Sequence, residues 1–220
     1  MTIPDSAPEP IDAAALAAAQ AQWTASAHTP DGGLSDAQTQ PPADPFERLV
    51  FEQHRRNQLL WHEEDRARDP EADDATIAQV KRRIDSLNQE RNDLIERMDQ
   101  SIAQTLDEIG VSPGSQAPSN TETPGSVIDR LSILALKVFH MGVQAAREDV
   151  DERHRVKART KRAVLEQQRA DLAAALGRLT ADLFAGRLQM RLYRQYKMYN
   201  DPAMNPYLAR AKGRARPQGS

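Results

Sequence analysis

Asp74 to Gly110 reads DATIAQVKRRIDSLNQERNDLIERMDQSIAQTLDEIG, and its apolar positions Ile77, Val80, Ile84, Leu87, Leu94, Met98 and Ile102 keep a three-four spacing. That spacing gathers them on one side of a long α-helix, so the stretch predicts a bundle helix stopped by Gly110. Upstream, Asp44 is a good cap, Pro45 suits the first helical position and Pro70 forbids continuation, which predicts a helix from Asp44 to Asp69. Downstream, a loop rich in proline, glycine and serine ends at Thr123 and Pro124, the cap and first turn of a third helix. Leu131, Ile133, Leu134, Leu136, Val138, Phe139 and Met141 leave this third helix no wide polar face, so it is expected at the centre. A turn within 148–162 precedes a fourth helix carrying Val164, Leu165, Leu172, Leu176, Leu179, Leu183 and Leu188, which is expected to leave the helix at Asn200.

No alternating β-branched run occurs, so the expected fold is all-α, an antiparallel up-and-down bundle of about four long helices. At 220 residues and 39% hydrophobic the chain suffices for one core. The reading divides it into an acidic, mostly disordered segment over 1–44, a bundle over 45–208 and a disordered tail over 209–220. Within the first segment, IDAAALAAAQAQW (Ile11 to Trp23) has helical propensity, with Ile11, Leu16 and Trp23 as docking points. Tyr193, Tyr196 and Tyr199 are expected to anchor the C-terminal exit.

Formal charge is −6 over 1–45, −9 over 46–152 and +12 over 153–220. The acidic two thirds can neutralise the basic third internally, which argues against nucleic acid as the partner. The absence of an apolar run of about 20 residues argues against a membrane span, and the N-terminus lacks the pattern of a secretion signal; a cytoplasmic protein is expected. With no cysteine, thiol nucleophiles and thiolate metal sites are excluded. Glycine-rich phosphate loops, serine elbows and HExxH are missing as well.

Polar chemistry concentrates in FEQHRRNQLLWHEEDRAR (Phe51 to Arg68). Asn57, Trp61, Glu64, Asp65 and Arg68 share one helical side, with His54 a turn earlier and His62 about 100 degrees away. This is either a ligand wall with a stacking tryptophan or a face of solvated acids paired with arginines. His62 and Asp65 are spaced to share a metal, but the pair is too common to assign one, so no metal ligand is assigned and the cofactor is left unknown. Arg91 lies on the core stripe between Leu87 and Leu94 and demands a partner, for which a carboxylate of the preceding helix is expected; a register-fixing structural pair is the alternative. Asp85, Asn88, Asn92 and Asp99 form a polar line beside it. Lys137 and His140 interrupt the third helix at i, i+3.

Four blocks, NQLLWHEEDRAR, KRRIDSLNQERNDLIERMD, ETPGSVIDRLSILALKVFH and YRQYKMYNDPAMNP, resemble a bacterial family catalogued as a domain of unknown function. The resemblance implies no reaction; neighbouring sugar-transfer genes in some members hint at envelope polysaccharide synthesis.

If the first three core helices are neighbours, Glu64, Asp65, Asn88, Arg91, Lys137 and His140 converge on one interior cavity suited to an anionic sugar phosphate or nucleotide. The free amides of the ETPGS turn offer a second seat for phosphate. The expected role is therefore a non-catalytic binding or adaptor protein. A metal-dependent hydrolase using Glu63, Glu64, Glu96 and Asp99 is the enzymatic alternative, and a scaffold with a purely structural polar core is the third. A homo-oligomer that buries the third helix stays open.

Overall fold

A computed structural model describes residues 11–35, 39–194, 198 and 201–214. Within these residues six helices follow one another: α1 (Ala13–Ser26), α2 (Pro45–Arg66), α3 (Asp74–Glu108), α4 (Pro124–Ala146), α5 (Glu152–Phe184) and α6 (Pro206–Arg214). Among the described residues there is no strand, only isolated bridges at His28–Leu34 and Ser119–Gln189. Among these residues no helix is long and apolar enough to cross a membrane.

The helix starts obey their caps. Asp44 accepts from Glu47 N, Asp73 from Thr76 N and Asp151 from His154 N, while Thr123 and Ser126 form a capping box at the start of α4. The turn between the third and fourth core helices falls at 147–151, where Asp151 supplies the cap.

α2 pairs with α3 and α4 with α5 as antiparallel hairpins, and α4 packs against α1, α2, α3 and α5. It is the central helix that its apolar sequence predicts. The main core joins Val50, Met98, Ile102, Val127, Ile128, Leu131, Leu176, Leu179 and Leu183; a smaller cluster of Leu60, Val80, Ile84 and Leu87 closes the α2–α3 hairpin. α1 lies on this body: Ile11, Leu16 and Trp23 all pack against the main core. The Trp23 ring meets Phe51 edge to face, with centroids 5.1 Å apart.

Two expectations are corrected. α5 stops at Phe184, not at Asn200, because Gly186 takes the left-handed conformation (φ +65) and the amides of Arg187 and Leu188 turn back to Asp182 O. Leu188 still packs on the core, but from the following loop. α6 runs through Pro206–Arg214 and so gives helical structure to 209–214 of the tail expected to be disordered over 209–220. Of the tyrosines expected to anchor the exit, Tyr193 is exposed, while Tyr196 and Tyr199 lie outside the described residues, as do 1–10, 36–38 and 215–220 of the segments 1–44 and 209–220 expected to be disordered.

The α3–α4 crossing depends on Gly125. A methyl group there would sit 2.8 Å from Ile95 O and 2.8 Å from an Asp99 oxygen, so the two helices approach closely only without a side chain. Replacing Gly125→Ala is expected to lower stability by about 1–3 kcal/mol, as overpacking does, visible as a lower urea midpoint. An unchanged midpoint would show that the crossing relaxes without cost.

Candidate functional site

The buried face of α2 mixes apolar Val50, Phe51 and Leu60 with an unusual polar set: Gln53, His54, Asn57 and Gln58 are all buried. Their partners come from α1 and α4. Asp129 on α4 is the hub, accepting from Gln53 Nε2, from Asn57 Nδ2 at 3.0 Å, and from the Arg91 guanidinium through both Nε (2.7 Å) and Nη2. Arg91 therefore has the bidentate carboxylate partner its position demands, but on α4 instead of α2. Asp129 is absent from the residues singled out in the sequence, although one acid in an apolar helix poses the same question as Arg91.

A second chain of bonds leads toward α1. Thr24 Oγ1 donates to Gln20 O (2.8 Å), so it accepts from His54 Nε2 (3.0 Å); the other ring nitrogen, Nδ1, then accepts from Ser132 (2.8 Å), whose oxygen also receives Asn57 Nδ2. His54 is neutral and fully bonded in this arrangement. Burial, helped by the charge of nearby His28, pushes it down to about 3.

Beyond His54 three more histidines gather. His28 Nδ1 meets Thr24 O at 2.7 Å, His28 Nε2 faces His62 Nε2 at 3.1 Å, and His140 stacks flat on Trp61 with centroids 4.4 Å apart. One nitrogen from each of His28, His62 and His140 lies within 4.8 Å of the others. Burial lowers all three; His140, also opposed by His28 and His62, falls to about 4. His62 and His140 stand out in the sequence, whereas His28 carries no sequence signal, being joined to them only by the docking of α1.

The expected single cavity is two clefts divided by Trp61 and Asp65, which line both. The smaller, about 350 Å³, takes Asn57, Glu64, Asn88 and Arg91; its arginines are committed, Arg91 to Asp129 and Arg68 to Glu64. The larger, about 660 Å³, lies between α2, α4 and α5 and takes Lys137 and His140 with Lys161, Val164, Leu165 and Gln168. Val164 and Leu165, read from sequence as core stripe, face this cleft; Val164 is 55% exposed. Asn92 lies half-buried on α3 and lines neither cleft.

The acids considered for a metal-dependent hydrolase, Glu63, Glu64, Glu96 and Asp99, form no group with metal-ligand spacing among the described residues. Glu63 pairs with Arg66 and Glu64 with Arg68, while Asp99 is buried against the start of α4, accepting Gly125 N at 2.7 Å. Among the described residues only the three histidines form a group with metal-ligand spacing. Asp99 also fills the ETPGS turn considered for phosphate, its carboxyl pushed above the ordinary range by burial against the opposing bonds from Thr123 and Gly125.

A family model described as a protein of unknown function, DUF4254, matches residues 47–192. The chain belongs to this family. The match takes in α2 to α5 of the DUF4254 chain, and with them Arg91, Asp129, His54, His62 and His140; α1 and His28 precede it. No curated protein and no solved structure matches the DUF4254 chain.

Proposed function

We propose that this DUF4254 protein is a non-catalytic binding protein that takes an anionic ligand, a sugar phosphate or nucleotide, in the cleft between α2, α4 and α5. The observation that carries the reading is Lys137 and Lys161 at one cleft, neither with an ion-pair partner among the described residues, above an apolar floor of Met141, Val164 and Leu165. Two uncommitted ammonium groups suit a phosphate, the amides of Gln144 and Gln168 suit hydroxyls, and Trp61 supplies an apolar wall. The volume of about 660 Å³ is within the range of small-molecule sites.

The scaffold reading is favoured for a different part of the molecule. Arg91 and Asn57 both donate to Asp129, which supports a structural role for that layer and leaves ligand recognition to the lysine side.

Calorimetric titration with glucose 1-phosphate, UMP and UDP-glucose tests the proposal. At least one is expected to bind, with a weakening of about tenfold or more in a Lys137→Ala/Lys161→Ala protein, since each 1.4 kcal/mol lost is tenfold and charged hydrogen bonds contribute about 1.5–3 kcal/mol. Binding that ignores the double substitution, or no binding by any of the three, counts against this cleft.

A further inference from the structure

We propose that His28, His62 and His140 form a binding site for a late first-row divalent metal ion of the zinc class, with three imidazole ligands and one exchangeable position. The ligand atoms lie within 4.8 Å of one another, and the histidines come from three separate segments, the loop just after α1, α2 and α4. A tetrahedral ion with bonds of about 2.0–2.1 Å spaces its nitrogens about 3.3 Å apart. The His28–His62 pair, at 3.1 Å, already has that spacing. His140 needs a shift of about 1.5 Å at most to complete it.

The hydrogen bonding around the trio is that of a ligand set. A backbone carbonyl can only accept, so the 2.7 Å contact of His28 Nδ1 with Thr24 O fixes the proton on Nδ1 and leaves Nε2 as a lone pair aimed at His62. Bonding of the far nitrogen to a carbonyl is how metal-bound histidines are commonly oriented. His140 Nε2 is buried with no hydrogen-bond partner, an orphaned polar atom whose lone pair a metal ion would satisfy. Trp61 holds the His140 ring by stacking, Phe139 packs on the His28 ring with centroids 4.9 Å apart, and Gly32, at φ +93, brings the loop after α1 so near that a methyl group there would sit 3.3 Å from His140 Nδ1. These contacts shield the trio from water on several sides. Imidazole-only ligands suit zinc, copper, nickel and iron, and three neutral ligands leave the ion its full charge and one position for water or an anion. The inference is independent of the lysine cleft, because it requires no bound anion.

The test uses the full chain without a histidine tag, stripped with chelator and titrated with cobalt(II) and with zinc(II). One equivalent of zinc is expected, together with a visible cobalt(II) band of tetrahedral type. His62→Ala, at a half-buried ligand, is expected to weaken zinc binding by more than the roughly 10–100-fold typical of outer-sphere changes, and His28→Ala to do the same. His154→Ala, at an exposed histidine outside the trio, should bind as the parent does. Absence of a saturable site in the parent protein, or binding unaltered by His62→Ala in a protein whose circular dichroism is native, would overturn the proposal.

Discussion

Asp129→Ala is expected to cost about 3–5 kcal/mol of folding stability, the range for breaking a buried ion pair by removing one partner. Three donors depend on that carboxylate: Gln53 Nε2, Asn57 Nδ2 and the Arg91 guanidinium. Gln53 and Asn57 are buried and have little access to water, so each abandoned donor adds a desolvation cost of about 1–3 kcal/mol unless it finds a new acceptor. The Arg91 side chain keeps 24% exposure, which lets water satisfy part of the guanidinium and keeps the total from rising further. Because the cost arises from stranded partners, Arg91→Ala combined with Asp129→Ala should cost less than the two single changes added together. Urea denaturation of the four proteins measures this coupling; strict additivity would mean that Arg91 and Asp129 act independently.

The second large effect is a loss of stability in acid that runs through His54. Its folded-state pKa is depressed to about 3 from an ordinary 6.5, so between those values the unfolded chain binds a proton at His54 and the folded chain does not. Stability from this group is therefore complete above about pH 6.5 and is lost as pH falls, by up to about 1.4 kcal/mol per pH unit, until the folded state is protonated near pH 3. From pH 6.5 to 4.5 the loss amounts to about 2–3 kcal/mol. The depressed His28, His62 and His140 act in the same direction, so the parent slope exceeds that of one proton. Asp99, raised by burial, acts oppositely at the acid end. Comparing the parent with His54→Gln isolates one proton: the variant should be less stable at pH 7 yet lose stability less steeply on acidification. Equal slopes would place the missing proton elsewhere.

What the sequence discloses and what it withholds divide along the range of the interactions. Asp44 with Pro45, Thr123 with Pro124, and Gly110 mark helix ends through contacts within one turn, and those ends stand where local chemistry predicts them. Gly186 is the exception, since the apolar pattern continues past it and only the conformation of one residue ends the helix. Arg91 declares its need for a partner by occupying an apolar stripe, but the partner's identity depends on which helices touch, and Asp129 lies 38 positions away. Lys137 and His140 are legible as interruptions of an apolar helix, and both line the larger cleft. Lys161, on a helix crowded with charges, has no such contrast to mark it. His28 becomes relevant only because α1 docks against the body and carries it to His62 and His140.

The central claim is that stability and recognition reside in different layers, the Asp129 layer holding the bundle and the lysine cleft receiving the ligand. Thermal melting with and without saturating UDP-glucose, or whichever of the three probes binds most tightly, separates them in one experiment on the parent, Arg91→Lys and Lys137→Ala/Lys161→Ala proteins. Ligand at 100 times its dissociation constant adds about 2.7 kcal/mol to the parent. The account predicts that Arg91→Lys melts lower but keeps the ligand-induced rise, whereas the lysine double variant melts as the parent does and loses the rise. The reverse pattern, with the rise lost in Arg91→Lys and kept in the lysine variant, would contradict it.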